Sequence, residues 1–222
     1  MQHGLRARAL LLVAAALVLL TGCGGSGDDD GGSSATTGTT TGAVELGPAF
    51  GPMASLPGVL DGPPPWGANG DKLQLRLREI GLDPLSAEGQ VVHIHQHLDI
   101  FADGKPVTVP ANIGIDPGQR FISALHTHDD SGILHVESPT PTSYSLGQVF
   151  AVWGLRLDAN CIGGLCASGG KRLRTWVNGK PLAGDPTRIV LAEHQVIVLA
   201  YGIPAQDPKP VPTTHDFAAE GV

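Results

Sequence analysis

The stretch VVHIHQHLDIF, residues 91–101, constrains the fold more tightly than any other part of the chain. His93, His95 and His97 alternate there with Val92, Ile94, Gln96 and Leu98, and Ile100 continues the second series. Successive side chains of a β-strand point to opposite faces, so a period of two describes a two-sided strand. One side is apolar and faces a core; the other carries three imidazoles, followed by Asp99. A second stretch, ALHTHDDSGILHVES at 124–138, repeats the arrangement: His126 and His128 share a face, and His135 shares one with Glu137 in the following strand. Six of the nine histidines of this 222-residue chain lie between positions 93 and 135.

The surrounding sequence extends the β reading. QVVHIHQHLDIFADGKPVTVP forms a hairpin turning at Asp103-Gly104, and FISALHTHDDSGILHVES forms another turning at Asp130-Ser131-Gly132. RLRTWVNGKPL offers a third turn at Asn178-Gly179, and RIVLAEHQVIVLAYG supplies two more strands. Two helices interrupt this pattern. DKLQLRLREIGL carries Leu73, Leu77 and Ile80 at helical spacing, with Asp71 as cap and Gly81 as stop. Ser145 and Gln148 form a capping box ahead of Phe150 and Trp153, and Gly154 closes that helix. The expected class is mainly β (α+β): an antiparallel sheet or sandwich built from hairpins, with two short peripheral helices.

Arg6 and Arg8 precede the apolar run Ala9 to Leu20, which ends in LTGC at 20–23. A basic start, a short apolar core and small residues at the cut describe a secretory signal, residues 1–22. LTGC resembles a bacterial lipobox, which makes Cys23 the lipidated first residue and the membrane a partner through its acyl chains. The product would be exported and held on the cell envelope, facing the periplasm or the exterior. The Gly-, Ser- and Thr-rich segment that follows lacks apolar periodicity, so residues 23–65 read as a tether, 66–204 as one domain and 205–222 as a loose Pro-rich tail. That reading removes His215 and the signal residue His3 from the candidate ligands, and His194 is read as a turn or surface residue.

Loss of Arg6 and Arg8 leaves twelve basic against twenty-one acidic side chains, a formal charge of −9. This argues against nucleic acid or an anionic membrane surface as a partner and is compatible with a cation, without demanding one. Cys161 and Cys166 stand close together in NCIGGLC. A thiolate metal site would need further ligands that the adjoining sequence lacks; an exported chain favours a disulfide.

The histidines suit a divalent transition metal. Imidazole binds Zn²⁺, Cu²⁺, Fe²⁺ and Ni²⁺, whereas Ca²⁺ and Mg²⁺ prefer oxygen. Met1 and Met53 are the only methionines, which excludes a Met-rich Cu(I) site. His93 and His97 are roughly 13 Å apart along a regular strand, so one ion cannot take all three histidines of the triplet. The candidate ligands are His93, His95, His97, His126, His128 and His135, with Cu or Zn as the favoured ion, and six histidines leave room for two sites. His95 ranks first because it can pair with a neighbour on either side. Asp99, Asp129 and Glu137 can orient the rings or complete a mixed site, and Asp129 and Glu137 are weak candidates for a general base.

HIHQHLDIFADGKPVTVPANIGI, LHTHDDSGILHVES and SLGQVFAVWG, with CIGGLC and VNGK after them, resemble blocks that recur in a family of secreted or lipid-anchored prokaryotic proteins. The resemblance spans Leu73 to Gly202. It implies one exported domain with a histidine-rich site and brings no assigned activity.

Three functions remain open at this stage. One is a metal-binding envelope lipoprotein for storage, delivery or sensing. Another is a metalloenzyme using the same ion. The third is an interaction module switched by imidazole protonation. Four protein ligands favour binding; three beside a concave pocket favour chemistry. The sequence carries no H-E-x-x-H, G-x-S-x-G, P-loop or dinucleotide fingerprint, and its Asp129–Gly132 run lacks the full Ca²⁺-loop pattern.

Overall fold

A computed structural model describes residues 43–51 and 53–222. The signal, Cys23 and the tether as far as Gly42 lie outside the described residues. Among those described, no helix is long and apolar enough to cross a membrane.

In chain order the elements are helix α1 (Leu73–Glu79), strands β1 (Val92–Ala102), β2 (Lys105–Val107), β3 (Ile115–Asp116), β4 (Phe121–Ile122), β5 (Leu125–His126) and β6 (Ile133–Ser138), and helix α2 (Leu146–Trp153). Strands β7 (Cys161–Ile162), β8 (Leu165–Cys166), β9 (Arg172–Val177), β10 (Lys180–Leu182) and β11 (Gln195–Gly202) follow. The main sheet runs β10-β9-β11-β1-β6-β5, with β2 added to the C-terminal half of β1. β3–β4 and β7–β8 are separate two-stranded pairs. The class is the expected β-dominated α+β fold with two short helices.

One pairing departs from the all-antiparallel expectation: β1 and β11 run parallel, His97 opposite Val196 and Asp99 opposite Val198. This places β1 inside the sheet, between β11 and β6, and explains its long run of buried residues. The segment expected to give two C-terminal strands gives one, β11; Ile189 and Val190 make only isolated bridges, to Leu46 and Ser145.

The turn chemistry expected at two of the three turns is present, whereas β5 ends at His126, so His128 lies in a six-residue connection before β6 and not on a strand beside His126. Asp103 and Gly104 both have positive φ (51° and 78°), as do Asn178 and Gly179 (49° and 74°), the geometry of a two-residue hairpin loop. Ser145 caps α2: its side chain accepts from the Gln148 N–H while Gln148 reaches back to the Ser145 N–H. Gly154, at φ 70°, ends that helix. α1 differs from expectation at its start. Asp71 lies in a 3₁₀ turn, Gly70–Lys72, and no side chain caps the helix.

α2 is buried at every position but Gln148 and forms the centre of the core with Leu98, Ile100, Leu134 and Val136. Arg76 of α1, completely buried, donates to the Val152 and Trp153 carbonyls at the C-terminus of α2. A cation there complements the helix dipole. Burial lowers the Arg76 pKa to about 10, partly countered by Asp71. Cys161 and Cys166 form a disulfide across the β7–β8 hairpin.

The ordered domain extends beyond the expected limits of 66 and 204. At the N-terminal end, Gly47 N–H donates to the Arg188 carbonyl, Met53 is buried in the core, and Leu60 bridges to Leu155. At the other end, the segment expected to be loose lies against the sheet. Phe217 is buried in a second apolar cluster with Ile133, Val196 and Val198, joined by Val211 and Val222. The three sheet residues share the face of His97, so the C-terminal segment covers part of the histidine face. The Pro-rich composition misled because a few widely spaced apolar side chains suffice to anchor a short segment.

Phe217→Ala should therefore lower unfolding free energy by about 3–5 kcal/mol in urea titration; an unchanged midpoint would mean that this contact contributes nothing to the fold.

Candidate metal centre

Register builds the site. β1 and β6 pair with His95 opposite His135 and His93 opposite Glu137, and β5 and β6 pair with His126 opposite His135. His95, His135 and His126 thus form one row across three adjacent strands. Side chains directly opposite on neighbouring strands stand about 4.5–5.5 Å apart at Cβ. The rings keep that spacing, with centroids 4.7 Å apart for His95 and His135 and 5.1 Å for His126 and His135. His93 sits 4.9 Å from His95, and His128 lies 4.5 Å from His135.

Two groups of donors could hold a metal ion. In one, single ligand atoms of His126, His128, His135 and Glu137 all lie within 4.8 Å of one another; in the other, those of His93, His95 and Glu137 do. His126 Nε2 and His128 Nε2 lie 3.2 Å apart. Two nitrogens bound to one tetrahedral Zn²⁺ at about 2.0–2.1 Å would be about 3.3 Å apart, so these two need little movement. The His126 Nδ1–H donates to the Ser123 carbonyl at 3.0 Å, which leaves the lone pair on Nε2, the nitrogen facing His128. Such a bond to the far nitrogen fixes the ring and its tautomer for ligation. Glu137 Oε1 lies 3.1 Å from His135 Nδ1, 3.5 Å from His93 Nε2 and 3.9 Å from His126 Nε2.

Burial pushes the imidazole pKa of His126 down to about 4, reinforced by His128, and that of His135 down to about 3, reinforced by His126. His95 is lowered by burial and then by His93. Burial also raises the Glu137 carboxyl, with Glu88 adding to the effect. The buried rings are neutral at pH 7 and available as donors. Glu137 is 2% exposed, and its Oε2 has no hydrogen-bond partner. Buried carboxylates ordinarily pair with a cation or coordinate one.

The structure brings together His93, His95, His126, His128, His135 and Glu137, but not His97. Alternation puts His97 on the same side of β1, yet its ring stacks on His215 at 3.9 Å, and its Nε2–H donates to the Ser131 carbonyl at 3.0 Å. The folded C-terminal segment supplies this alternative partner. His95, expected to rank first, belongs to the three-donor group rather than the four-donor group. Asp129 is exposed and stands apart from both groups; its Oδ1 accepts from Ser131 N–H in the turn. Asp99 pairs with His97 at 3.4 Å instead of orienting a ligand. His194 lies in the turn before β11 with its side chain half exposed and stacks on Phe217.

Glu88 was not anticipated. Its Oε1 lies 3.4 Å from His128 Nε2, at the rim of the four-donor group. The neighbouring Gly89 makes that placement possible. A Cβ there would lie 2.1 Å from the Ser138 carbonyl carbon, so only glycine lets this loop press against the end of β6. The hint in the sequence was a glycine beside an acid just before a strand, too common a pattern to single out.

Comparison with protein-family models, curated proteins and solved structures finds no match, so the functional reading rests on this geometry.

The depressed histidine pKa values give the metal-free domain a characteristic acid sensitivity. The unfolded chain takes up protons below about pH 6.5, whereas the buried rings resist them until about 4 and 3. Their contribution to stability is complete above pH 6.5 and declines as pH falls towards those values. Glu137, raised in the fold, acts in the opposite sense, as one group against three rings. The urea midpoint of metal-stripped protein should therefore fall between pH 7 and pH 5. A flat midpoint would contradict neutral buried rings.

Proposed function

We propose that this protein is a cell-envelope lipoprotein that binds a divalent transition metal, Zn²⁺ or Cu²⁺, for storage, delivery or sensing. The carrying observation is the convergence within 4.8 Å of the buried His126, His135 and Glu137 with the exposed His128, which follows β5 at the rim of the sheet. Three imidazoles and a carboxylate suit Zn²⁺ in tetrahedral geometry and Cu²⁺ in a tetragonal one. Four protein donors can close a coordination shell, which favours holding an ion over using it in catalysis. A protonation switch near pH 6 has less support, since the most buried rings stay neutral well below that value.

The lipid anchor follows from the sequence alone: the signal at 1–22, the LTGC motif and Cys23. An envelope location also agrees with the disulfide, which persists in oxidising compartments. Cys23→Ala should move the protein from the membrane fraction to the soluble exported fraction, and unchanged fractionation would remove the anchor from the proposal.

Calorimetry on untagged, metal-stripped protein should give a Kd below about 10 μM, only about 7 kcal/mol of binding energy and little to ask of a preformed site. His126→Ala with His128→Ala should weaken that binding at least about 100-fold, a loss of about 2.7 kcal/mol. His97→Ala should leave it within a factor of about three, less than 1 kcal/mol. Equal loss in both variants would shift the site towards the tail, and no binding in the wild type would end the metal reading.

A further inference from the structure

We propose that the histidine face holds a second divalent ion, ligated by His93, His95 and Glu137, with the Glu137 carboxylate shared between the two ions. The inference rests on the metal reading above and extends it. His126, His128, His135 and Glu137 account for one coordination shell, which leaves His93 and His95 without a task. His95 is buried, and the exposed His93 stands beside it at the surface. Their donor atoms and that of Glu137 lie within 4.8 Å of one another, and Glu137 is the only residue common to both groups.

Two unpartnered atoms point the same way. His95 is 6% exposed, and its buried Nε2 has no hydrogen-bond partner; Oε2 of the 2%-exposed Glu137 also has none. Leaving a buried donor or acceptor unsatisfied costs the full desolvation of that group, so an orphaned atom asks for an explanation. A cation at the second group would answer for an orphaned nitrogen and an orphaned oxygen together. A carboxylate offers two oxygens and about four lone-pair sites, enough to serve one ion on each side. Ions in two-metal sites stand about 3.5–4 Å apart, close enough for one carboxylate to reach both.

The surroundings favour two positive charges. Glu88 flanks the four-donor group at His128. On the opposite side, Glu193 accepts from the His95 backbone N–H at 3.1 Å. The two groups also differ in kind. Solvent reaches both groups, through the His93 side chain (45% exposed) in one and the His128 side chain (44%) in the other, so the difference lies in the donor number of the second site. With three protein donors it keeps at least one position for water or an exchangeable anion. Loading should therefore proceed in two steps, with the four-donor group filling first and the three-donor group exchanging more readily.

Equilibrium dialysis of the untagged, metal-stripped protein against Zn²⁺, followed by elemental analysis, tests this directly. The wild type should reach two ions per chain, the second binding at least tenfold more weakly than the first. His93→Ala with His95→Ala should bind one ion with the first affinity retained. Glu137→Gln should weaken both steps. With two equivalents of Cu²⁺, the wild type should show a half-field paramagnetic-resonance signal from coupled ions, absent from the His93/His95 variant. Saturation of the wild type at one ion, or two ions unaffected by loss of His93 and His95, would overturn the shared site while leaving the four-donor reading intact. No bound ion would overturn both. Should the double variant fail to fold by circular dichroism, the stoichiometry and coupling of the wild type decide the matter.

Discussion

The register of β1, β6 and β5 is the constraint on which the candidate site depends. Because strand side chains alternate with a period of two, one residue of slippage would turn every histidine of a strand to the opposite face. Pairing His95 with His135, and His135 with His126, creates the row; pairing His93 with Glu137 puts the carboxylate beside it. What fixes this register lies on the other side of the sheet. Leu98, Ile100, Leu134 and Val136 must face α2 and the main core, and burying them obliges the histidines to point away. The core therefore specifies the site without touching it.

The two sides of the sheet solve different problems. The apolar side is closed by α2, whose buried C-terminal carbonyls are met by the guanidinium of Arg76. The histidine side is divided. Where Ile133, Val196 and Val198 continue it, the C-terminal segment covers it with Phe217. Where His93, His95, His126, His128 and His135 occupy it, the rings gather around a buried carboxylate. His97 marks the boundary between these regions and stacks on His215 of the covering segment. One strand thus contributes to a donor cluster at one end and to an apolar cover at the other.

What could be read from sequence was local. The Asp103-Gly104 and Asn178-Gly179 turns, the Ser145–Gln148 capping box and the Cys161–Cys166 disulfide each depend on neighbours a few residues away, and each is present. The two-sided character of β1 followed from alternation alone. What could not be read depended on distant segments. Nothing near Val92–Ala102 indicates a parallel partner at Gln195–Gly202, which returns only after most of the domain has been built. The same distance hid the partner of His97, because composition around His215 suggested a loose tail. Glu88 reaches the site through a glycine contact with the β6 terminus that no spacing rule encodes. Alternation said which residues share a face; only the tertiary fold decided which of them converge.

The most direct test of the account is anomalous diffraction from crystals of the untagged protein soaked in Zn²⁺, recorded on both sides of the zinc absorption edge. The account predicts a strong peak among His126, His128, His135 and Glu137, about 2.0–2.2 Å from each ligand atom. Data showing zinc only at exposed positions such as His194, with the histidine row and Glu137 free of it, would contradict the central claim.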